Sequence, residues 1–199
     1  LTRSAPDGDA ALSATLTVSD TGGTDSDVEN LALTVTNVAP TATVSGAATI
    51  AEGTLYTLTV GPVSDPGADT RSAYTIAWGD GLTDSFTAAE WTAAAGSFTH
   101  TYADGPGSAV ITVSTTDEDG TTILGTQEVT IANVAPSASV SGAATVDEGS
   151  LYTLTVGPIT DPGADTRSSY TIAWGDGLTD SFTAAEWTAA AGAFTHTYA

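Results

Sequence analysis

Tyr74-Thr75-Ile76-Ala77-Trp78-Gly79-Asp80-Gly81 is an alternating stretch that runs into a turn bracketed by two glycines. Apolar side chains at every second position place Tyr74, Ile76 and Trp78 on one face of a strand, with Thr75 and Ala77 on the other. The same period of two sets Tyr56, Leu58 and Val60 against Leu55, Thr57 and Thr59. Further runs cover residues 42–45, 97–102, 109–114 and 128–132. Threonine fills many alternate positions, where its branched Cβ suits a pleated surface and its hydroxyl meets solvent. Turn formers punctuate the runs at Val60-Gly61-Pro62, Asp65-Pro66-Gly67, Asp104-Gly105-Pro106-Gly107 and Asp119-Gly120. Six or seven short strands at this spacing predict an all-β fold, an antiparallel sandwich. One segment departs from the pattern. Thr87-Ala88-Ala89-Glu90 has the form of a capping box, and Ala93-Ala94-Ala95-Gly96 that of an alanine-rich turn with a glycine stop. A short helix is expected there, with Trp91 plugging the core and a twin helix at residues 183–192.

The stretch belongs to a repeat. Asn37-Val38-Ala39-Pro40 recurs as Asn133-Val134-Ala135-Pro136, and residues 37–103 align with 133–199 over 67 positions without a gap. Nine positions differ, almost all by Thr/Ser, Ile/Val or Ala/Ser exchange, and Ala51/Asp147 alone changes charge. Copies this similar must share one fold. The head of the chain fits the same frame less closely: Asp7-Gly8 onward parallels Asp104-Gly105 onward with one extra residue, and Leu1-Thr2-Arg3-Ser4-Ala5 falls opposite residues 98–102. The expected organisation is therefore 1–36, the C-terminal part of a divergent repeat; 37–132, a complete repeat; and 133–199, the N-terminal part of a further one. A 96-residue period exceeds that of solenoids and suits an independently folding sandwich. Either the chain is a window on a longer array, or split sandwiches are completed head to tail between copies.

Composition narrows the function. Three basic residues, all arginine, face 24 acidic ones for a formal charge of −21. Such a polyanion repels phosphate backbones and anionic headgroups, so neither nucleic-acid binding nor peripheral membrane attachment is expected, and no apolar run approaches the roughly 20 residues needed to span a bilayer, so membrane insertion is not expected either. Cysteine is absent, which excludes disulfides and thiolate metal sites. Lysine is absent too, so Lys-Asn isopeptide cross-links cannot form. Catalysis is not expected: there is no Gly-x-Ser-x-Gly elbow, and a repeat with one histidine and no lysine offers little for acid-base work.

Ile76-Ala77-Trp78-Gly79-Asp80-Gly81, then Phe98-Thr99-His100-Thr101-Tyr102, then the run from Val110 to Asp119 leading to Asn133-Val134-Ala135-Pro136 together resemble the polycystic-kidney-disease-type (PKD) domain. Ile76 stands where that family usually has tryptophan, and Trp78 where it has phenylalanine. The resemblance spans the repeat. It implies tandem immunoglobulin-like sandwiches of a large secreted bacterial surface protein, with an extracellular or cell-surface location. It also implies that calcium, where bound, lies near a domain end on loop aspartates. Carried onto this chain, that points to Asn37, Asp65 and Asp69, with Asn133, Asp161 and Asp165 as a second set.

Several motifs admit a plainer structural role. The aspartates of Gly79-Asp80-Gly81 and Gly175-Asp176-Gly177 could offer a carboxylate to a cation, yet they also suit a tight turn in which Asp accepts backbone N–H groups. His100 and His196, one per repeat, read as packing residues. Acidic clusters recur at Asp117-Glu118-Asp119-Gly120 and, in variant form, at Asp20, Asp25 and Asp27. The stretch from Asp117 is not an EF-hand, because its sixth position is Thr122 rather than glycine. The functional expectation is an extracellular structural repeat protein, a surface stalk, adhesin shaft or filament, whose partners are other copies or neighbouring repeats. The alternative is a carbohydrate- or matrix-binding accessory module of a secreted hydrolase, with Trp91 and Trp187 as its platform.

Overall fold

The structure, a computed structural model, describes residues 10–22, 26–67 and 69–199. The opening Leu1 to Asp7-Gly8 alignment, Asp25 and Ala68 lie outside the described residues. The chain divides into two compact units. One holds the described residues of 1–48 with 56–100 and 108–129; the other holds 49–55, 101–107 and 130–199.

The first unit opens with β1 (Ala10–Ser19) and β2 (Ser26–Val35), an antiparallel hairpin registered from Ala10↔Val35 to Ser19↔Ser26. Directly opposed residues share a face. Leu12 with Leu33 and Ala14 with Leu31 therefore make one side apolar over that stretch, with Leu16 and Val18 facing Glu29 and Asp27 further along it, while Ser13 with Ala32 and Thr15 with Asn30 make the other mostly polar. Thr15 Oγ1 donates to Asn30 Oδ1 at 2.6 Å on that polar side. The apolar side is open: Leu16, Leu31 and Leu33 are 62%, 67% and 54% exposed. The hairpin forms a sheet of its own.

Next come β3 (Val44–Gly46), β4 (Thr49–Ala51), β5 (Leu55–Val60), β6 (Ala73–Ala77), β7 (Thr83–Thr87), α1 (Ala88–Ala93), β8 (Ser97–Thr101), β9 (Gly107–Asp117) and β10 (Gly120–Ala132). Within the first unit one sheet has the order β3-β5-β8, and a second carries β10-β9-β6-β7. Their inner faces follow from the period-two patterning. Tyr56, Leu58 and Val60 point in from β5, Tyr74 and Ile76 from β6, and Ile111 and Val113 from β9, all buried. Phe98 of β8 meets Phe86 of β7 edge-on at 5.1 Å, so the two sheets share one core. This is an all-β sandwich.

The helix forms as its caps dictate. Thr87 Oγ1 accepts from the Glu90 N–H, and Glu90 Oε2 accepts in return from the Thr87 N–H at 2.8 Å. Trp91 is half-buried, stacked 4.3 Å from Tyr74 and tilted against Phe98 at 4.5 Å. It packs against the aromatic side chains of the core, as the sequence leads one to expect.

In the second unit β4 runs parallel to the end of β10, pairing Thr49 with Thr130 and Ala51 with Ala132. It continues with β11 (Val140–Gly142), β12 (Leu151–Val156), β13 (Tyr170–Ala173), β14 (Thr179–Phe182), α2 (Ala184–Ala189) and β15 (Ala193–Thr197). Its sheets are β11-β12-β15 and β13-β14. The capping box of α2 repeats that of α1 through Thr183 and Glu186. A small core of Ile172, Trp174 and Phe194 is flanked by half-buried Tyr152, Leu154, Phe182 and Trp187.

Two strands escape sequence reading. β7 presents only Phe86 as a large apolar residue, and β4 is three residues long. β9 and β10 also extend beyond the runs read from the sequence. The unit boundaries fall away from the repeat boundaries because residues 49–55 and 101–107 bond to residues 130 onward. Among the described residues no helix is long and apolar enough to cross a membrane.

Ile111 is fully buried at the centre of the first core. Ile111→Ala is expected to lower that unit's stability by about 2–5 kcal/mol, read as a lower urea midpoint at unchanged slope.

Candidate functional site

A buried carboxylate organises the second unit. Glu52 follows β4 and is fully buried. Its Oε2 accepts from the Gly105 N–H at 2.5 Å and its Oε1 from the Val134 N–H at 2.6 Å. The turn that carries it is pinned by its own backbone: the Glu52 N–H donates to Ala132 O at 3.0 Å and the Gly53 N–H to Tyr102 O at 2.8 Å. Burying a carboxylate is costly, and charge-assisted bonds from backbone N–H groups offset that cost.

The loop from Asp161 to Asp165 packs directly on this turn. The Ala164 N–H donates to Ala103 O at 2.8 Å. A Cβ added at Gly163 would overlap the Glu52 carboxylate, and one added at Gly53, where φ is +67°, would overlap the Pro162 carbonyl. Only glycine permits the approach on either side. Glu52 and Gly105 precede residue 133 and Val134 and Gly163 follow it, so one side chain ties the first sequence copy to the second.

More oxygens gather around it. Glu52, Asp104 and Asp165 each bring a carboxylate oxygen to within 4.8 Å of the others. With its amide nitrogen turned toward them, Asn133 donates to Glu52 Oε1 at 3.3 Å, Gly105 O at 3.2 Å and Asp165 Oδ2 at 2.9 Å. With its amide oxygen turned the same way, Asn133 adds a further oxygen to those of the three carboxylates, a donor type that suits a hard cation. The pKa of Asp165 is raised by desolvation, by the charges of Glu52, Asp161 and Asp104, and by a hydrogen bond with Asp104. The donor set of three carboxylates, an amide and a carbonyl therefore fits calcium by type.

The second predicted set is thus partly assembled. Asn133 and Asp165 come together, joined by Glu52 and Asp104, which sequence reading missed. Asp161 stands beside them: its Oδ1 accepts from the Gly163 N–H at 3.3 Å, and Arg167 Nη1 lies 3.6 Å from its Oδ2. In the first predicted set, Asp65 is held by Arg71 Nη1 at 3.1 Å and by the Gly67 N–H at 3.1 Å. Asn37 is half-buried, and Asp69 carries a buried carboxylate against Gly67. The three-carboxylate group found among the described residues includes none of Asn37, Asp65 and Asp69. Glu52 left one signal in the sequence: it recurs as Glu148 beside Ala51/Asp147, the position where the copies differ in charge.

The other motifs do structural work. Asp117 Oδ1 accepts from the Asp119 and Gly120 N–H groups in the β9–β10 turn, and Glu118 accepts from the Thr70 N–H. Asp80 Oδ1 accepts from the Leu82 N–H at 3.0 Å, and its Oδ2 lies 2.7 Å from His100 Nε2. His100 in turn stacks on Trp78 at 4.7 Å. Asp176, His196 and Trp174 repeat the arrangement. For Asp80, burial opposes ionisation, but the His100 hydrogen bond and charge and the Leu82 N–H outweigh it and hold the pKa below the usual range. The His196 hydrogen bond does the same for Asp176.

No family model matches the chain, and neither does any curated protein.

A carboxylate with a lowered folded-state pKa contributes stability above its ordinary pKa and loses it as pH falls through the lowered value. Asp80→Asn is accordingly expected to cost up to about 1 kcal/mol at neutral pH. The gap from the parent should close as pH drops below about 4. Urea titrations across pH check this; a gap that stays constant with pH would show that charge plays no part.

Proposed function

We propose that the chain is an extracellular structural repeat protein, a segment of a stalk, shaft or filament built from PKD-like sandwiches, in which an acidic junction binds calcium and fixes each repeat to the next. The reading rests on one observation: buried Glu52 holds backbone N–H groups at both Gly105 and Val134, with Gly163 pressed on its carboxylate. A joint made of buried backbone bonds and glycine contacts resists bending in a way a flexible linker does not. The proline after Asn133-Val134-Ala135 restricts the residue before it and adds stiffness. The acidic surface supports the same reading, because like charge keeps an extended array soluble.

In this reading Glu52, Asp104, Asn133 and Asp165 hold the ion, and its charge offsets the mutual repulsion that raises the pKa of Asp165. The carbohydrate-module alternative needs flat, exposed aromatics. Trp91 instead stacks on Tyr74, and Trp187 on Tyr170 at 4.6 Å.

Calcium at about one hundred times its dissociation constant is expected to stabilise the second unit by about 2.7 kcal/mol. In thermal scans this appears as a higher melting temperature that chelator reverses. Asp165→Asn should abolish the calcium response while raising the melting temperature in chelator, since it removes a carboxylate that costs stability when charged. Superimposable scans of the parent with calcium and with chelator would exclude the ion. Electron microscopy tests the structural role: the chain should appear as linear beaded particles and give no signal on a glycan array. Dispersed single particles with selective glycan binding would overturn the structural reading.

A further inference from the structure

The outer face of the sheet around β6 is made of small, uncharged residues. Tyr74 and Ile76 point into the core, so Ala73, Thr75 and Ala77 point away from it. Directly opposed residues share a face, and the register carries the pattern to both neighbouring strands. Thr75 stands between Ser85 of β7 and Ser114 of β9; one row along, Ala73 stands between Thr87 and Thr116, and on the other side Ala77 stands between Thr83 and Thr112. The result is a grid of hydroxyls and methyls, about 4.7–4.9 Å apart across the strands and about 6.6–6.8 Å apart along them. β13 and β14 repeat two of its columns, with Thr171 opposite Ser181 and Ala173 opposite Thr179.

The chain carries 24 acids, yet none lies on this grid. In residues 37–132 the acids stand in loops, turns and α1, apart from one on each of β7, β9 and β10. Asp84 shares the inner side of β7 with Phe86 and accepts from Trp78 Nε1 at 2.9 Å, Asp117 is buried at the end of β9, and Glu128 belongs to β10. The hydroxyls of the grid are also distinct. Thr54, Thr92 and Thr115 donate theirs to backbone carbonyls. Those of Thr75, Thr83, Ser85, Thr112 and Ser114 have no partner among the described residues and face solvent.

An occupant of this face has to be neutral and rich in hydrogen-bonding oxygens. A basic partner would seek the carboxylates, which lie elsewhere. Protein partners are anchored mainly by aromatic and arginine side chains, and the grid has neither. Sugar rings stack on exposed aromatic faces, which it also lacks. We infer that the β7-β6-β9 face binds the surface of water ice. Each oxygen of that lattice both donates and accepts hydrogen bonds, as a threonine or serine hydroxyl does. The methyls of Thr and Ala add neutral contact, whereas a charged group would hold its own oriented shell of liquid water against the lattice. Threonine is stiff at χ1 and the strands fix the backbone, so binding orders little that is not ordered already. Sheets twist by about 20–25° per strand, so one grid meets a lattice over a few residues at a time, and strength comes from its repetition along the chain.

A slowly advancing ice front drives ordinary solutes into the liquid. With calcium chelated, so that the acidic junction plays no part, the 199-residue chain should instead enter the ice, at a ratio to the liquid about tenfold above that of Thr75→Lys, which sets a charge at the centre of the grid. Ser85→Lys, at an exposed position, makes the same test should Thr75→Lys lose the parent's thermal transition. Thr57→Lys puts the same charge on the outer face of β5, in the other sheet, and should behave as the parent. Exclusion of the parent from ice overturns the inference. So does an equal loss in Thr57→Lys, which would assign the effect to surface charge at large. Retention of the parent on powdered cellulose without uptake into ice would give the face to a sugar lattice and overturn it too. None of these results touches the structural reading, which stands or falls on the particle shape and the calcium scans.

Discussion

A β-sheet with one apolar face is stable only when something covers that face, and residues 37–132 are arranged around this requirement. In residues 37–132 the β3-β5-β8 sheet and the β10-β9-β6-β7 strands cover each other, and Ile76, Ile111 and Trp78 lose essentially all contact with water. Each such side chain contributes about 1.5–3 kcal/mol relative to exposure. The short helix serves the same end. It carries one tryptophan against Tyr74, Phe86 and Phe98, and its reciprocal cap makes so short a segment helical.

Glu52 is the exception to this apolar logic. A carboxylate at the bottom of a packed joint is tolerated because backbone N–H groups from two distant segments converge on it and glycines at 53 and 163 leave room. Removing those donors would strand a buried charge, so the joint and the carboxylate depend on each other. The surrounding acids add a second layer. Their mutual repulsion raises the pKa of Asp165 and is a cost while all of them are charged.

Sequence reveals these features unevenly, for physical reasons. Period-two patterning exposes β5, β6 and β8 because each buries large residues on one side only. The helix is legible from Thr87, Glu90 and Gly96, whose roles are local. β7 is illegible because an edge strand with one large apolar residue carries almost no pattern. Glu52 is illegible for another reason: its partners lie 53 and 82 residues away, and nothing near it announces them. Asn133 and Asp165 could be singled out as a junction asparagine and a loop aspartate. Which carboxylates would join them depends on how the loop at 161–165 meets the turn at 52–53, a matter of tertiary packing.

The close likeness of the two copies has a consequence for how the chain acquires its fold. β5 and β12 have identical sequences, as do β8 and β15 apart from Ser97/Ala193, so the β9–β10 hairpin meets two nearly equivalent acceptors while the chain is still unfolded. Neighbouring domains this alike are prone to exchanging strands, and the mispaired product buries almost the same surface as the correct one. Energetic preference therefore discriminates poorly between the two outcomes. Discrimination falls to connectivity and timing: β9 and β10 follow β8 immediately and emerge from the ribosome before β12 does, so the correct sandwich can begin to close before its competitor is free to pair.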